Sequence, residues 1–219
     1  MDAREFGILS EEVRKLAKQA PRLGWGKVQN DKTDSKLDLF GIRSYADLEK
    51  SIAQMADDDK NYWRRRWFVW QCSRCDEYLF YRIRGVERNP NRKDKSWDIR
   101  INGTIEFDIK GTRIPTKMRK DAERLINDPK DLIHFYYEKQ STGVRYDIQN
   151  RLFIVHHSFV GADREVYLRT AWKSKPKIYE EYVANINRVR LYEYNGVQTS
   201  VIFIFEREKG KVDYHICGL

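Results

Sequence analysis

The stretch "SWDIRINGTIEFDIKGT", residues 96–112, sets two apolar segments around an Asn-Gly pair. Such a pair between segments of alternating apolar residues is a strong signal for a β-hairpin with a two-residue turn. With Asn102 and Gly103 in the turn, Ile101 should face Thr104 on the partner strand. Counting outward from that pair predicts the position of every other side chain in the hairpin.

Charged side chains follow the second strand of this hairpin at every second position. Glu106, Asp108 and Lys110 should share one face, because side chains of a strand alternate between two faces. Asp98 on the first strand should face Phe107 and therefore lie beside Asp108. Clustered carboxylates repel each other unless a cation neutralises them. The hairpin therefore predicts a divalent metal site with Asp98 and Asp108 as ligands.

The composition is that of a basic globular chain. Its 219 residues carry 42 Lys and Arg against 33 Asp and Glu, a formal net charge of +9 that would attract a polyanion such as nucleic acid. Three cysteines, no signal peptide and no long apolar run predict a cytoplasmic protein with reduced thiols and no membrane partner. Gly-rich phosphate loops, G-x-S-x-G and H-E-x-x-H motifs are absent from the sequence, which excludes the usual nucleotide-hydrolase, esterase and metalloprotease classes.

The succession of helical and strand patterns predicts an α/β (mixed α+β) fold, with a central mixed β-sheet flanked by helices. We expect residues 1–60 to form an N-terminal helical segment packed on a core of residues 61–219, with the whole chain forming one compact domain. Apolar spacing and capping residues predict helices at 10–20, 45–56, 62–79, 116–128, 129–139 and 175–187. Further strands are predicted at 151–159, 189–194, 197–205 and 212–219, with a possible strand in 79–86.

At Asp98 and at Asp108-Ile109-Lys110 the sequence resembles the PD-(D/E)XK nuclease superfamily. The pattern of that superfamily is an acidic residue opening one strand and an acid-X-Lys signature on its hairpin partner. The resemblance implies a restriction-endonuclease-like core over residues 77–157, built from a helix, a strand meander, a helix and a further strand. It also implies that the two acids bind the metal and that Lys110 assists the attacking water. One departure from the pattern is Trp97, which stands where the family has Pro.

Two other acids are candidates for the same site. Glu106 is a rival for the second acid position, and Glu77 stands where some members of the family add an acid from the preceding helix. The expected cofactor is Mg²⁺, which proteins usually hold through one or two carboxylates and waters, with Mn²⁺ as a possible substitute. Zinc is not expected, because its conceivable ligands are far apart in the sequence: Cys72, Cys75, His215 and Cys217.

Polar and basic residues near the hairpin are candidates for contacts with a DNA backbone or with base edges. Some flank the acids in sequence, and the others follow the predicted helix at 129–139. These candidates are Arg92, Lys93, Lys95, Arg113, Lys117, Arg119, Lys120, Gln140, Arg145 and Gln149.

The expected function is that of a Mg²⁺-dependent DNA endonuclease, in particular a type II restriction endonuclease acting on double-stranded DNA. A homodimer is expected, because one compact domain needs two active sites to cut both strands efficiently. Two alternatives stay open. One is a noncatalytic nucleic-acid-binding protein, and the other is a repair or junction-resolving nuclease or an RNase on the same fold.

Overall fold

The computed structural model describes residues 1–19, 36–91, 94, 96–139 and 149–219. The chain divides into two compact units, Met1–Tyr78 and Leu79–Leu219. The boundary expected from the sequence lies earlier, after residue 60, and the packing of an N-terminal segment on the core stays a prediction. None of the helices within the described residues combines the length and apolarity needed to cross a membrane.

The first unit is helical. It contains α1 (Ala3–Gln19), a 3₁₀ turn (Leu39–Gly41), α2 (Tyr45–Ile52) and most of α3 (Asp57–Tyr81). Ser44 caps α2 by accepting a hydrogen bond from the backbone of Asp47, so the predicted start of this helix is confirmed, although it ends at Ile52 rather than at residue 56.

Two predicted helix starts in the first unit were wrong. α1 begins at Ala3 rather than at residue 10, because the Asp2 side chain accepts a hydrogen bond from the backbone of Glu5 and supplies an earlier cap. α3 begins at Asp57 rather than at residue 62. Its first turn holds three acidic residues, which the positive end of a helix dipole favours.

The second unit contains a seven-stranded mixed sheet. Its strands are β1 (Val86–Arg88), β2 (Ile99–Ile101), β3 (Ile105–Arg113), β4 (Arg151–Ser158), β5 (Tyr192–Tyr194), β6 (Val197–Glu206) and β7 (Asp213–Ile216). They lie in the order β1-β2-β3-β4-β6-β5, with β7 also paired to β6. β3, β4 and β6 run parallel, whereas the other pairs are antiparallel. The predicted mixed α/β class with a central mixed sheet is confirmed.

Helices flank this sheet. A 3₁₀ helix (Thr116–Asp121), α4 (Ala122–Asn127) and α5 (Lys130–Lys139) connect β3 to β4, and a 3₁₀ turn (Ala162–Arg164), α6 (Glu165–Arg169) and α7 (Lys175–Ala184) follow β4. The main core of the unit lies between α4 and α5 and one face of β4 and β6, with Leu125, Leu132, Tyr136, Phe153 and Phe203 among its members. The strand considered for residues 79–86 was wrong, because α3 continues to Tyr81 and β1 begins only at Val86.

The element order over residues 77–157 is a helix, three antiparallel strands, further helices and a strand parallel to β3. This is the order implied by the sequence resemblance. Such an order alone defines an architecture, so the restriction-endonuclease-like core stays a proposal.

The two Asn-Gly hairpins of the sheet differ in register. Tyr194 pairs with Val197, so the hairpin at Asn195 and Gly196 has a two-residue turn. In the first hairpin Ile101 pairs with Ile105 rather than with Thr104, so the predicted register at this turn was wrong by one residue.

The first turn keeps part of the predicted geometry. Asn102 and Gly103 both have positive φ, and Thr104 N donates to Ile101 O at 3.2 Å, as in a two-residue turn. Asn102 N also donates to Gly85 O at 2.8 Å, which bonds the turn to the segment before β1. Thr104 stands outside the ladder, and this extra residue shifts the pairing.

Candidate active site

A row of polar side chains crosses the sheet where β4 begins. The register pairs Asp108 on β3 with Arg151 on β4, and Arg151 with Thr199 on β6. The row faces α5, because the Tyr137 hydroxyl lies 2.8 Å from Thr199 Oγ1. Three neighbouring strands and one helix therefore position this group of side chains.

Asp108 is the buried acid of the row, with 4 % of its surface exposed. Lys110 Nζ donates to Asp108 Oδ1 at 2.5 Å, so the two side chains share one face of β3 as the alternation predicts. The Lys110 side chain is 36 % exposed. The acid is thus inside the protein, while the ammonium group reaches the solvent.

Asp98 joins this pair through the backbone. Its Oδ2 accepts a hydrogen bond from Ile109 N at 2.8 Å, and its own N–H donates to Phe107 O at 2.8 Å. The Asp98 carboxylate is therefore bonded to the residue between Asp108 and Lys110. The structure brings together the three residues that the sequence pattern selected, although the register at the turn differs.

The second oxygen of Asp108 is unusual for a buried carboxylate. Asp108 Oδ2 accepts no hydrogen bond from any of the described residues. Arg151 Nε lies 3.6 Å from it, which is beyond ordinary hydrogen-bond range. A buried carboxylate oxygen without a donor can take a cation.

The oxygen donors of this site fit a hard divalent cation. Within the described residues no group of three or more His, Cys, Asp and Glu side chains is arranged to hold a metal. Mg²⁺ does not need such a group, since it is usually held by one or two carboxylates and keeps several waters. Asp98 and Asp108 supply two carboxylates, and one of their oxygens has no donor among the described residues.

The two rival acids are placed differently. Glu106 Oε1 accepts hydrogen bonds from Arg100 at 2.6 and 2.9 Å, across the β2–β3 pair. Glu77 lies on α3 in the first unit, and its part in the metal site stays a prediction.

The predicted DNA-binding residues fall into three groups. Arg92, Lys93, Lys95, Gln140 and Arg145 lie outside the described residues. Lys117 and Lys120 are exposed, and Lys117 Nζ lies over the Phe135 ring. Gln149 precedes β4, where its backbone carbonyl accepts a hydrogen bond from Tyr137.

Arg113 and Arg119 form the third group, and both lie against Glu165, a buried acid at the start of α6. Arg113 Nη1 is 3.9 Å from Glu165 Oε2, and Arg119 contacts Glu165 Oε1. Arg119 also donates to Ser158 O at 3.1 Å. These contacts give both arginines a role within the protein, in addition to the predicted role at DNA.

The cysteines behave as core residues. Cys72 and Cys75 are buried on α3 of the first unit, as the helical interpretation of their spacing predicts. Cys217 is buried in the second unit, where burial raises the pKa of its thiol to about 12.

Sequence reasoning missed Arg151 and Tyr137. The Arg151 guanidinium lies over the Tyr137 ring, 4.8 Å from its centroid, and beside Asp108. One signal could have found the arginine: it opens an otherwise apolar strand, "RLFIVHHS". The tyrosine gave no signal, since an aromatic residue on a helix is usually a core residue.

No family model matches the chain, no curated protein matches it, and no solved structure matches it. Any functional assignment therefore depends on the geometry around Asp98, Asp108 and Lys110. The resemblance to the PD-(D/E)XK superfamily stays an inference from these residues.

Proposed function

We propose that the chain is a Mg²⁺-dependent endonuclease that hydrolyses phosphodiester bonds of DNA. The observation that carries the proposal is the contact of Lys110 with Asp108 at 2.5 Å, with Asp98 bonded to the intervening Ile109. Two acids and one ammonium group from adjacent strands are the set that metal-assisted phosphodiester hydrolysis needs. The formal net charge of +9 suits a polyanionic substrate.

The three side chains would have different roles in this reaction. Asp98 and Asp108 would hold the metal ion, which when bound supplies Lewis-acid polarisation and a water of lowered pKa. Lys110 would orient the attacking water and stabilise negative charge that develops on the phosphate. The water oxygen bonds to phosphorus, the bond from phosphorus to one sugar oxygen breaks, and that oxygen takes up a proton. Mn²⁺ should substitute for Mg²⁺, because both accept carboxylate ligands.

The finer assignment is a type II restriction endonuclease acting on double-stranded DNA as a homodimer. Two copies of one site are needed for concerted cleavage of two strands, and a twofold dimer provides them. Repair or junction-resolving nucleases and RNases use the same chemistry, so the substrate is what separates these possibilities. Sedimentation of the chain with and without duplex DNA would measure the number of copies.

A noncatalytic nucleic-acid-binding protein is the second candidate. One observation favours it: Asp108 already lies near two cations, Lys110 at 2.5 Å and Arg151 at 3.6 Å. An acid neutralised in this way can be purely structural. In that case the chain would bind DNA without cutting it.

Incubation of the purified chain with supercoiled plasmid and with RNA, each in Mg²⁺ or in EDTA, tests the proposal. We expect nicked and linear plasmid in Mg²⁺, no products in EDTA, and no products with Asp108→Asn. Cleavage of RNA alone would change the substrate class. Plasmid binding without cleavage would support the noncatalytic candidate, and cleavage that persists in Asp108→Asn would overturn the assigned site.

A further inference from the structure

A cavity of the second unit lies between the first half of α5 and the residues that lead into β5. Its volume is about 330 Å³, which is within the range of pockets that hold small molecules. Half-buried and buried apolar side chains form its floor, and exposed charged side chains form its rim. The cavity therefore suits a ligand that has both an apolar part and a charged part.

The register of the sheet separates this cavity from the candidate metal site. Tyr192, which lines the cavity, lies on β5 and pairs with Thr199 on β6. Thr199 pairs with Arg151 on β4, which pairs with Asp108 on β3. Three strand spacings therefore separate the backbones of Tyr192 and Asp108, a distance of about 14 Å. A ligand in the cavity would not take the place of the metal ion, so the cavity is a site of its own.

The floor of the cavity is apolar and aromatic. Ile133 on α5 is buried, and Leu191 and Tyr192 are half-buried. His134 lies next to this floor, and its ring packs edge-on against the Tyr194 ring with 5.0 Å between the centroids. Aromatic and apolar side chains of this kind pack against the flat face of a nucleobase.

The rim of the cavity carries two exposed cations. Lys130 is the first residue of α5, and Arg190 comes two residues before β5. Neither forms an ion pair within the part of the chain that the structure describes. Arg124 and Arg207 differ in this respect, because each is paired with a carboxylate. The N–H donors of Lys130 and Arg190 are therefore accessible to an anion such as phosphate.

Glu193 is the third charged residue of the rim, and it too is exposed. Its carboxylate can accept hydrogen bonds from sugar hydroxyls or from the amino group of a base. We propose that the cavity binds a nucleotide, with the base on the apolar floor and the phosphate between Lys130 and Arg190. Two sources supply this chemistry, a free mononucleotide and an unpaired nucleotide of a nucleic-acid strand.

Isothermal titration calorimetry of the purified chain in EDTA tests this inference, because EDTA keeps metal ions out of the measurement. AMP, adenosine, inorganic phosphate and a single-stranded oligonucleotide are titrated separately. The variants are Lys130→Ala and Arg190→Ala, and since both residues are exposed, neither substitution should unfold the chain. Lys177→Ala is the matched control, because it removes an exposed lysine that does not line the cavity.

We expect AMP to bind with a Kd between about 10 μM and 1 mM, and adenosine and inorganic phosphate to bind at least about 10-fold more weakly. Lys130→Ala and Arg190→Ala should each weaken AMP binding about 10-fold, because each removes a charge-assisted contact with the phosphate. Lys177→Ala should bind AMP as wild type does.

The four ligands distinguish the two sources. AMP binding that is weakened in both variants identifies a free nucleotide, whereas oligonucleotide binding with the same losses and without AMP binding identifies a strand. Inorganic phosphate that binds as tightly as AMP would overturn the inference, since the cavity would then recognise an anion alone. The inference also fails if neither AMP nor the oligonucleotide binds, or if binding is unchanged in Lys130→Ala and Arg190→Ala. These titrations involve no cleavage, so their result is independent of the proposed nuclease function.

Discussion

Asp108 and Glu206 are both buried carboxylates on strands of one sheet, and their hydrogen bonds differ. Glu206, at the end of β6, accepts hydrogen bonds from the Ser158 hydroxyl, from two nitrogens of Arg164 and from the backbone of Gly210. From the described part of the chain Asp108 accepts one hydrogen bond, from Lys110. Its second oxygen has no hydrogen-bond donor among the described residues.

The difference separates a structural acid from an acid that can take a ligand. A carboxylate with four donors is stabilised in the folded state, and a metal ion would have to replace bonds already made. A carboxylate with one donor keeps lone pairs for a further cation. We therefore expect substitutions at the two acids to affect different properties of the protein.

Asp108→Asn should have the largest effect, and it should act on activity. The amide keeps the shape of the side chain but loses the charge that a divalent cation requires. We expect Mg²⁺-dependent plasmid cleavage to fall at least about 10³-fold, while duplex binding in CaCl₂ falls much less. Cleavage at the wild-type rate would break the comparison, since Asp108 would then be as structural as Glu206.

Glu206→Gln should show the opposite pattern. The amide cannot accept all four hydrogen bonds, and Arg164 is left without its charge partner. We expect the free energy of unfolding in urea to fall by about 2 kcal/mol or more, with unchanged cleavage per folded molecule. Glu123→Gln, which breaks an exposed ion pair with Arg207, is the control and should cost less than about 0.5 kcal/mol.

The pH dependence of stability gives a second measurement on Glu206. Burial raises the pKa of its carboxyl, but the hydrogen bonds from Arg164, Gly210 and Ser158, with the charge of Arg164, lower it below 4.5 on balance. Because the pKa is lower in the folded state, this stabilisation is present above about pH 4.5 and is lost as the pH falls through the folded value. Urea unfolding should show a smaller loss at acid pH in Glu206→Gln than in wild type, because other carboxyls with a lowered pKa, among them those of Glu5 and Glu49, keep their share of the dependence.

His156 lies on the same face of the sheet as Glu206 and should give a pH effect at less acidic pH. Burial, with the nearby charges of Lys175 and Arg169, lowers its pKa well below 6.5, so it is neutral in the folded protein. The unfolded chain binds a proton below pH 6.5, and stability should fall with decreasing pH by up to about 1.4 kcal/mol per pH unit.

His156→Gln should flatten this slope when unfolding is measured between about pH 5.5 and 7.5. His215 has a pKa lowered by burial and adds a share in the same direction, so the slopes of variant and wild type must be compared. An identical slope would show that another group causes the dependence.

The sequence was sufficient to find the hairpin and its acids, because both follow from local rules. Alternation placed Asp108 and Lys110 on one face, and the structure confirms it. The Asn-Gly turn at Asn195 has the register of a two-residue turn, whereas the turn at Asn102 does not have its predicted register. The turn at Asn102 is bonded to Gly85, which is distant from it in the sequence, and local rules do not include such contacts.

The parts that could not be predicted depend on pairing between distant strands. Arg151 reaches Asp108 only because β4 runs parallel to β3 in one register. The donors that satisfy Glu206 come from the end of β4 and from the loops around it, so its structural role was equally hidden. The sequence motif identified Asp108 and Lys110. The tertiary structure determines which other charged side chains surround them.

Substitution of Glu106 should have the smallest effect on plasmid cleavage. It also gives the sharpest check on the comparison between Asp108 and Glu206. It lies on β3 two residues before Asp108, and the sequence made it a rival for the second acid position. Its carboxylate is bonded to Arg100, whose guanidinium also lies over the Trp97 ring at 4.4 Å. An acid bound in this way on a half-exposed strand should not hold the metal, so Glu106→Gln should cleave plasmid within about 2-fold of wild type. A loss like that of Asp108→Asn would place Glu106 in the metal site, and the number of hydrogen bonds on a carboxylate would no longer separate structural from metal-binding acids in this sheet.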